Sequence, residues 1–203
     1  MLSWDSISES EWDNALAIYH CTLDTREKRS RDARVTIINA YVLRTFNPNE
    51  FYHFLLNEFL VWKHLDKRRL ASTQNKLCSM TLNSLAIIQQ ELVNQALNDK
   101  ELLNVALKIP GIGYSGATAL LSILYPNRFG TVDKHVIISL KSAKSMQNDA
   151  IIQSINPDHF TKKQTLYVIN KMQQKAKILN YTFQKNSWTP RAVDKAIWAD
   201  RKS

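Results

Sequence analysis

Apolar positions along this chain recur mostly at intervals of three and four residues, the spacing that lines one face of an α-helix. Ser8-Glu9-Ser10-Glu11 reads as a capping box, and Trp12, Ala15, Leu16 and Tyr19 then supply the inner face of a first helix of about 15 residues. The run Val35 to Leu43 reads as a buried helix, with a strand left open because Val35, Thr36, Ile37 and Ile38 are β-branched. Asn47-Pro48-Asn49-Glu50 sets a cap, a first-turn proline and an acidic residue in order, ahead of Phe51, Phe54, Leu55 and Phe59 on one side. Leu82, Leu85, Ile88 and Leu92, taken with Leu77, Val93 and Ala96, predict one long amphipathic helix. A further helix from about Thr161 to Leu179 carries Val168, Met172, Ala176 and Leu179 inward, with Lys171, Lys175 and Lys177 on a solvated face. Thr189-Pro190 caps a last helix bearing Val193, Ala196, Ile197 and Trp198.

Two apolar stripes stand out because so little separates them. Leu102, Val105, Ala106 and Ile109 precede Pro110-Gly111-Ile112-Gly113, and Ala117, Leu120, Leu121 and Leu124 follow it. The pattern predicts helix, tight hairpin, helix, with Asn98-Asp99-Lys100-Glu101 capping the first. Pro110 stops that helix; Gly111 and Gly113 permit positive φ and close backbone approach. The second helix then starts beside Gly113 with amide N–H groups pointing out of the turn, a place that suits a phosphate.

Composition sharpens this reading. Only 4 Gly and 5 Pro occur in 203 residues, so connections are few and an all-α fold follows, in which 44% hydrophobic residues suffice for a substantial core. Lys and Arg outnumber Asp and Glu by 27 to 18, a net +9 that points to a polyanionic partner. Cys21 and Cys78 are the only cysteines, which excludes a disulfide framework and a Cys-rich metal cluster. His20, His53, His64 and His159 show no metal-ligand spacing, and no Walker-type loop or Ser-His-Asp order is present. No apolar stretch is long enough for a membrane span, and Met1-Leu2-Ser3-Trp4-Asp5 lacks the basic start and apolar core of a signal peptide, so a cytoplasmic protein is expected. Internal repeats and low-complexity segments are absent, and a single domain over 1–203 is expected.

Ile109-Pro110-Gly111-Ile112-Gly113, with Ala117 four residues beyond, resembles the hairpin of the helix-hairpin-helix DNA glycosylase superfamily, the endonuclease III and adenine glycosylase group. Val132-Asp133-Lys134-His135 resembles the Val-Asp-x-His element that carries that family's catalytic aspartate, 133 − 115 = 18 residues beyond Ser115. Trp62-Lys63, with Lys67, Arg68 and Arg69 soon after, and the ending Arg191 to Ala199 resemble elements of an uncharacterised bacterial branch that lacks the iron–sulfur cluster.

The resemblance implies a helical glycosylase-like fold with a cleft between two lobes, a hairpin motif over about 99–125 and a catalytic segment over 131–143. It implies monofunctional hydrolysis of the N-glycosidic bond of a damaged or mispaired base in double-stranded DNA, by a monomer. Asp133 is the catalytic candidate; Gly111, Gly113, Tyr114 and Ser115 are the phosphate-binding candidates. Ser115 stands where bifunctional members hold a Schiff-base lysine, and a hydroxyl cannot form that imine, so strand cleavage is not expected. Trp62 and Lys63 are candidates for a base pocket, and Lys134, His135, Lys67, Arg68 and Arg69 for further DNA contacts. No iron–sulfur cluster is expected, and a monovalent cation at the hairpin is compatible with the resemblance.

Each candidate also has a plainer reading. Asp133 at the start of a helix is equally an N-cap, Trp62 a core tryptophan beside a charged loop, and His135 a packed histidine. The charged stretch Arg26 to Arg34 is either a solvated helix start or a DNA-facing surface, and Lys141, Lys144, Lys162 and Lys163 contribute only to the general field. A non-catalytic DNA-binding module is therefore the alternative to an enzyme, and a protein-interaction domain meeting an acidic partner the third.

Overall fold

The computed structural model describes residues 2–22, 26–63 and 66–200, and for His20, Cys21, Thr22 and Asp200 the backbone alone. Met1 at the chain start, and His64 and Leu65 within the basic stretch, lie outside the described residues. The chain is all-helical: α1 (Glu9–Thr22), α2 (Arg26–Thr36), α3 (Ala40–Thr45), α4 (Pro48–His53), a π-helical segment (Phe54–Phe59), α5 (Leu60–Lys63), α6 (Lys67–Cys78), α7 (Leu82–Leu92), α8 (Asp99–Ala106), α9 (Gly113–Leu124), α10 (Lys134–Ser142), a 3₁₀ turn (Lys144–Met146), α11 (Ala150–Ser154), α12 (Lys162–Phe183) and α13 (Pro190–Asp200). Extended pairing among the described residues is limited to one isolated bridge, Asn156 with His159. The helices gather into two compact units, residues 1–24 with 126–203, and residues 25–125.

In the first unit α13 packs against α1, α12 and α10. Val193, Ala196, Ile197 and Ala199 are buried, and Trp12 meets Trp188 edge-on at 5.6 Å, as Tyr19 meets Trp198 at 5.6 Å. Ser8 heads α1, its Oγ accepting from the Glu11 amide, while the Glu11 carboxylate bonds Ser6 rather than closing the box on Ser8. The expected solvated face of α12 is not uniform. Lys175 is 6% exposed: its Nζ donates to the Ser6 carbonyl at 3.0 Å and lies 5.1 Å from the Trp12 ring centroid. Burial draws the Lys175 pKa down, partly offset by the Asp5 charge. A long stem over an indole gains more from packing than an exposed position offers, which a spacing argument does not register.

Asp149, the cap of α11, ties that short helix to α12 by accepting from Tyr167 Oη at 2.7 Å and pairing with Lys171 at 2.9 Å. Burial pushes the Asp149 carboxyl up, but the Lys171 hydrogen bond, the Ile152 amide and the Tyr167 hydroxyl outweigh it and hold the pKa at about 2.

In the second unit α4, the π segment and α5 run continuously, capped by Asn47 and Glu50 in the reciprocal manner their spacing predicts. Phe54 and Leu55 are followed five residues later by Phe59 and Leu60, and all four are buried. A π turn stacks residues five apart, so it brings both pairs to the same face, and the Leu60 amide donates to Leu55 oxygen accordingly. α7 packs on α4, α3 and α8. Gln89 is buried on it and donates to the carbonyls of Leu43 and Phe46, satisfying the end of α3.

Two predicted helices are broken here by polar caps. The run Val35 to Leu43 stops at Thr36, leaves Ile37 65% exposed, and restarts when Asn39 accepts from the amides of Tyr41 and Val42. The long helix through Leu77 and Leu92 is two helices, because Ser79 bonds back to the Lys76 carbonyl and Thr81 accepts from the Ser84 amide. Short polar side chains offer the backbone alternative partners, and two of them in sequence end a helix that apolar spacing alone would continue.

Candidate nucleic-acid interface

α8 and α9 pack against each other in the second unit, joined by the turn Leu107 to Ile112. Gly111 adopts φ +87° and Gly113 φ +54°, the only positive-φ glycines among the described residues. The first also lies against α6: a Cβ on Gly111 would lie 3.1 Å from the Thr73 methyl, 3.2 Å from Lys76 Cδ and 3.3 Å from Thr73 Cα. A Cβ on Gly113 would meet nothing within 4 Å. Thr73 also reaches the Gly111 carbonyl, at 3.5 Å, so the turn is seated on α6.

The N-cap of α9 is Ile112, whose side chain can accept no hydrogen bond, whereas Asn, Asp or Thr side chains cap α3, α4, α6, α7, α8, α10, α11 and α12. Gly111 and Gly113 are exposed there, with Tyr114 and Ser115 half-buried. On α6 the first turn holds Lys67, Arg68 and Arg69, all exposed, with Asp66 accepting from the Arg68 and Arg69 amides. Three cations at the positive end of a helix oppose its dipole by roughly 0.3–1 kcal/mol each, and an anionic partner would relieve this.

Trp62 and Lys63 are half-buried at the end of α5. The Trp62 indole N–H donates to Asp32 at 2.9 Å, and its ring lies 6.1 Å from that of Phe59. Asp32 is itself 5% exposed, so this hydrogen bond anchors α5 on α2. The arrangement is that of a packed tryptophan with a satisfied polar tip.

Asp133, Lys134 and His135 belong to the first unit, at the start of α10. Asp133 is the N-cap: one oxygen, Oδ1, accepts from the amides of His135 at 2.9 Å and Val136 at 3.1 Å. The side chain is half-buried, Lys134 is exposed and His135 half-buried. Both capping bonds converge on Oδ1, so the other carboxylate oxygen is not needed for the cap.

What sequence reasoning missed lies immediately before. Phe129, Gly130, Thr131 and Val132 are all buried. A Cβ on Gly130 would lie 2.5 Å from the Pro190 carbonyl and 2.7 Å from Met172 Sδ. The Thr131 amide donates to Asp194 Oδ2 at 2.6 Å, and Arg191 Nη1 reaches Thr131 Oγ1 at 3.1 Å and both Asp194 oxygens at 3.0 and 3.1 Å. Burial pushes the Asp194 carboxyl up; Arg191 and the Thr131 amide pull it down, and the charge of Asp133 adds to the rise. A signal was available: Arg191 and Asp194 share one side of α13 with the buried Ile197 at i, i+3, i+6, and ions on an apolar side imply a pair.

The first unit also holds an open recess of about 430 Å³ lined by Asn127, Gln173, Lys177, Asn186 and Trp188 among others. Among the described residues no group of three His, Cys, Asp or Glu side chains converges as a metal site, and no helix is long and apolar enough to cross a membrane. Set against known protein families, curated proteins and solved structures, the chain finds no match.

Proposed function

We propose that this protein is a DNA-binding base-excision enzyme of the helix-hairpin-helix glycosylase kind, monofunctional, with Asp133 as its charge-stabilising residue. Hydrolysis of an N-glycosidic bond passes through an oxocarbenium-like state with positive charge growing on the sugar. An ionised carboxylate at that carbon stabilises the charge and orients a water. The observation that carries the reading is the form of Asp133: a half-buried carboxylate that caps α10 with a single oxygen, borne on a buried and tightly braced segment.

Supporting it, the glycine turn leads into a helix start without a side-chain cap, and α6, on which the turn sits, opens with three exposed cations. Backbone N–H groups there would hold a phosphate without reading sequence. Ser115 at the head of α9 has no amine for an imine with the opened sugar, so cleavage ends at an abasic site.

A duplex carrying a protonated pyrrolidine in place of the sugar mimics the developing charge, whereas a tetrahydrofuran abasic site has the shape alone. Wild type should prefer the first by about tenfold, and Asp133→Asn should abolish that preference while keeping affinity for the second. On a panel of lesion-bearing duplexes developed with hot alkali, the same variant should lose base release by about a hundredfold or more. Equal behaviour of variant and wild type in both assays would refute the assignment. The second reading, a binding module without chemistry, is favoured by the two capping bonds of Asp133 and predicts salt-dependent duplex binding with no preference for the cationic mimic.

A further inference from the structure

We propose that the buried Arg191–Asp194 pair is a positioning device for Asp133, clamping Thr131 so that the aspartate two residues on enters α10 in one fixed place. The pair is 8% and 3% exposed and engages Thr131 through both its amide and its hydroxyl. Replacing such a buried pair with apolar side chains is often neutral or stabilising, so stability alone does not explain its presence. Its geometric effect is specific. Thr131 is held from α13, Gly130 is wedged between Pro190 and Met172, and Val132 is fully buried, so Asp133 is the first residue of the segment whose side chain reaches the surface.

The charges are arranged to the same end. Arg191 is engaged with both oxygens of Asp194, and Asp133 adds a second carboxylate at this end of α10, beside the exposed Lys134. A fixed carboxylate stabilises a developing cation better than a mobile one, because no reorganisation is needed as the charge grows. The consequence for chemistry rests on the reading of Asp133 given above; the positional claim does not.

Two variants separate the possibilities: Asp194→Ala, and the apolar pair Arg191→Met with Asp194→Leu, which retains the packing if the single change fails to fold. Amide hydrogen exchange of His135 and Val136, the groups capped by Asp133, should accelerate about tenfold relative to Leu140 inside the same helix. In the apolar pair thermal stability should be regained while these two amides stay fast, and the preference for the pyrrolidine duplex over the tetrahydrofuran duplex should fall about tenfold. Unchanged exchange at His135 and Val136 in a folded variant would overturn the proposal, as would a wild-type preference for the cationic duplex in the apolar pair. If wild type shows no such preference, the catalytic reading of Asp133 fails, and the exchange data still decide whether the clamp exists.

Discussion

Gly111 and Gly113 sit two residues apart at positive φ, yet their substitution by alanine should differ sharply. At Gly113, φ +54° falls in the φ range of the small left-handed region that L-residues can enter, and a methyl group meets open space. The cost is the conformational term alone, about 1 kcal/mol. At Gly111, φ +87° lies outside that region, and the methyl group would press on the Thr73 backbone at 3.3 Å as well as on its side chain. Strain and overpacking together bring the cost to about 3 kcal/mol. With a urea slope of about 2.5 kcal/mol/M, the unfolding midpoint should fall by about 0.4 M for Gly113→Ala and about 1.2 M for Gly111→Ala. Trp62 is the sole tryptophan of residues 25–125, so its indole N–H resonance reports the unfolding of that unit without interference from the other. Equal shifts for the two variants, or a larger one for Gly113→Ala, would refute the account of the turn as seated on α6.

Gly130→Ala should lower the stability of the first unit by about 2–3 kcal/mol, read as a fall in melting temperature, because its Cβ would lie 2.5 Å from the rigid Pro190 carbonyl. Acid should expose the Asp149 pair: the folded pKa, about 2, lies below the unfolded value, so the stabilisation is complete above about pH 4 and lost as pH falls towards 2. Allowing for solvent near the surface, the contribution is about 1 kcal/mol, and Lys171→Met should flatten the pH dependence of urea midpoints across that window.

The helical class and several caps were legible in the sequence, because Asn47 and Glu50, Asn98 and Glu101, and Thr189 with Pro190 are local signals within a few residues of the ends they define. Where Asn39 and Thr81 divide apolar runs, the periodicity ran on across the break, and the polar residue between decided the outcome. Asp133 was expected at the start of a helix, and it is there. Its buttress was not foreseen, since Thr131 and Asp194 are 63 positions apart and neither marks the other locally. The same holds for Trp62 and Asp32, and for Lys175 over Trp12. Spacing within one helix gives which residues face inward and not what they meet there.

The way the chain visits its two units has a consequence during synthesis. Residues 25–125 form an uninterrupted stretch, so the internal packing of that unit can form once Tyr125 has left the ribosome, while translation continues. α1 has no such opportunity: Trp12 and Tyr19 are destined for Trp188 and Trp198, which are made 176 and 179 residues later. Until then its apolar side faces water on the nascent chain, a natural target for a holding chaperone, and early truncation should leave it the segment most prone to aggregate.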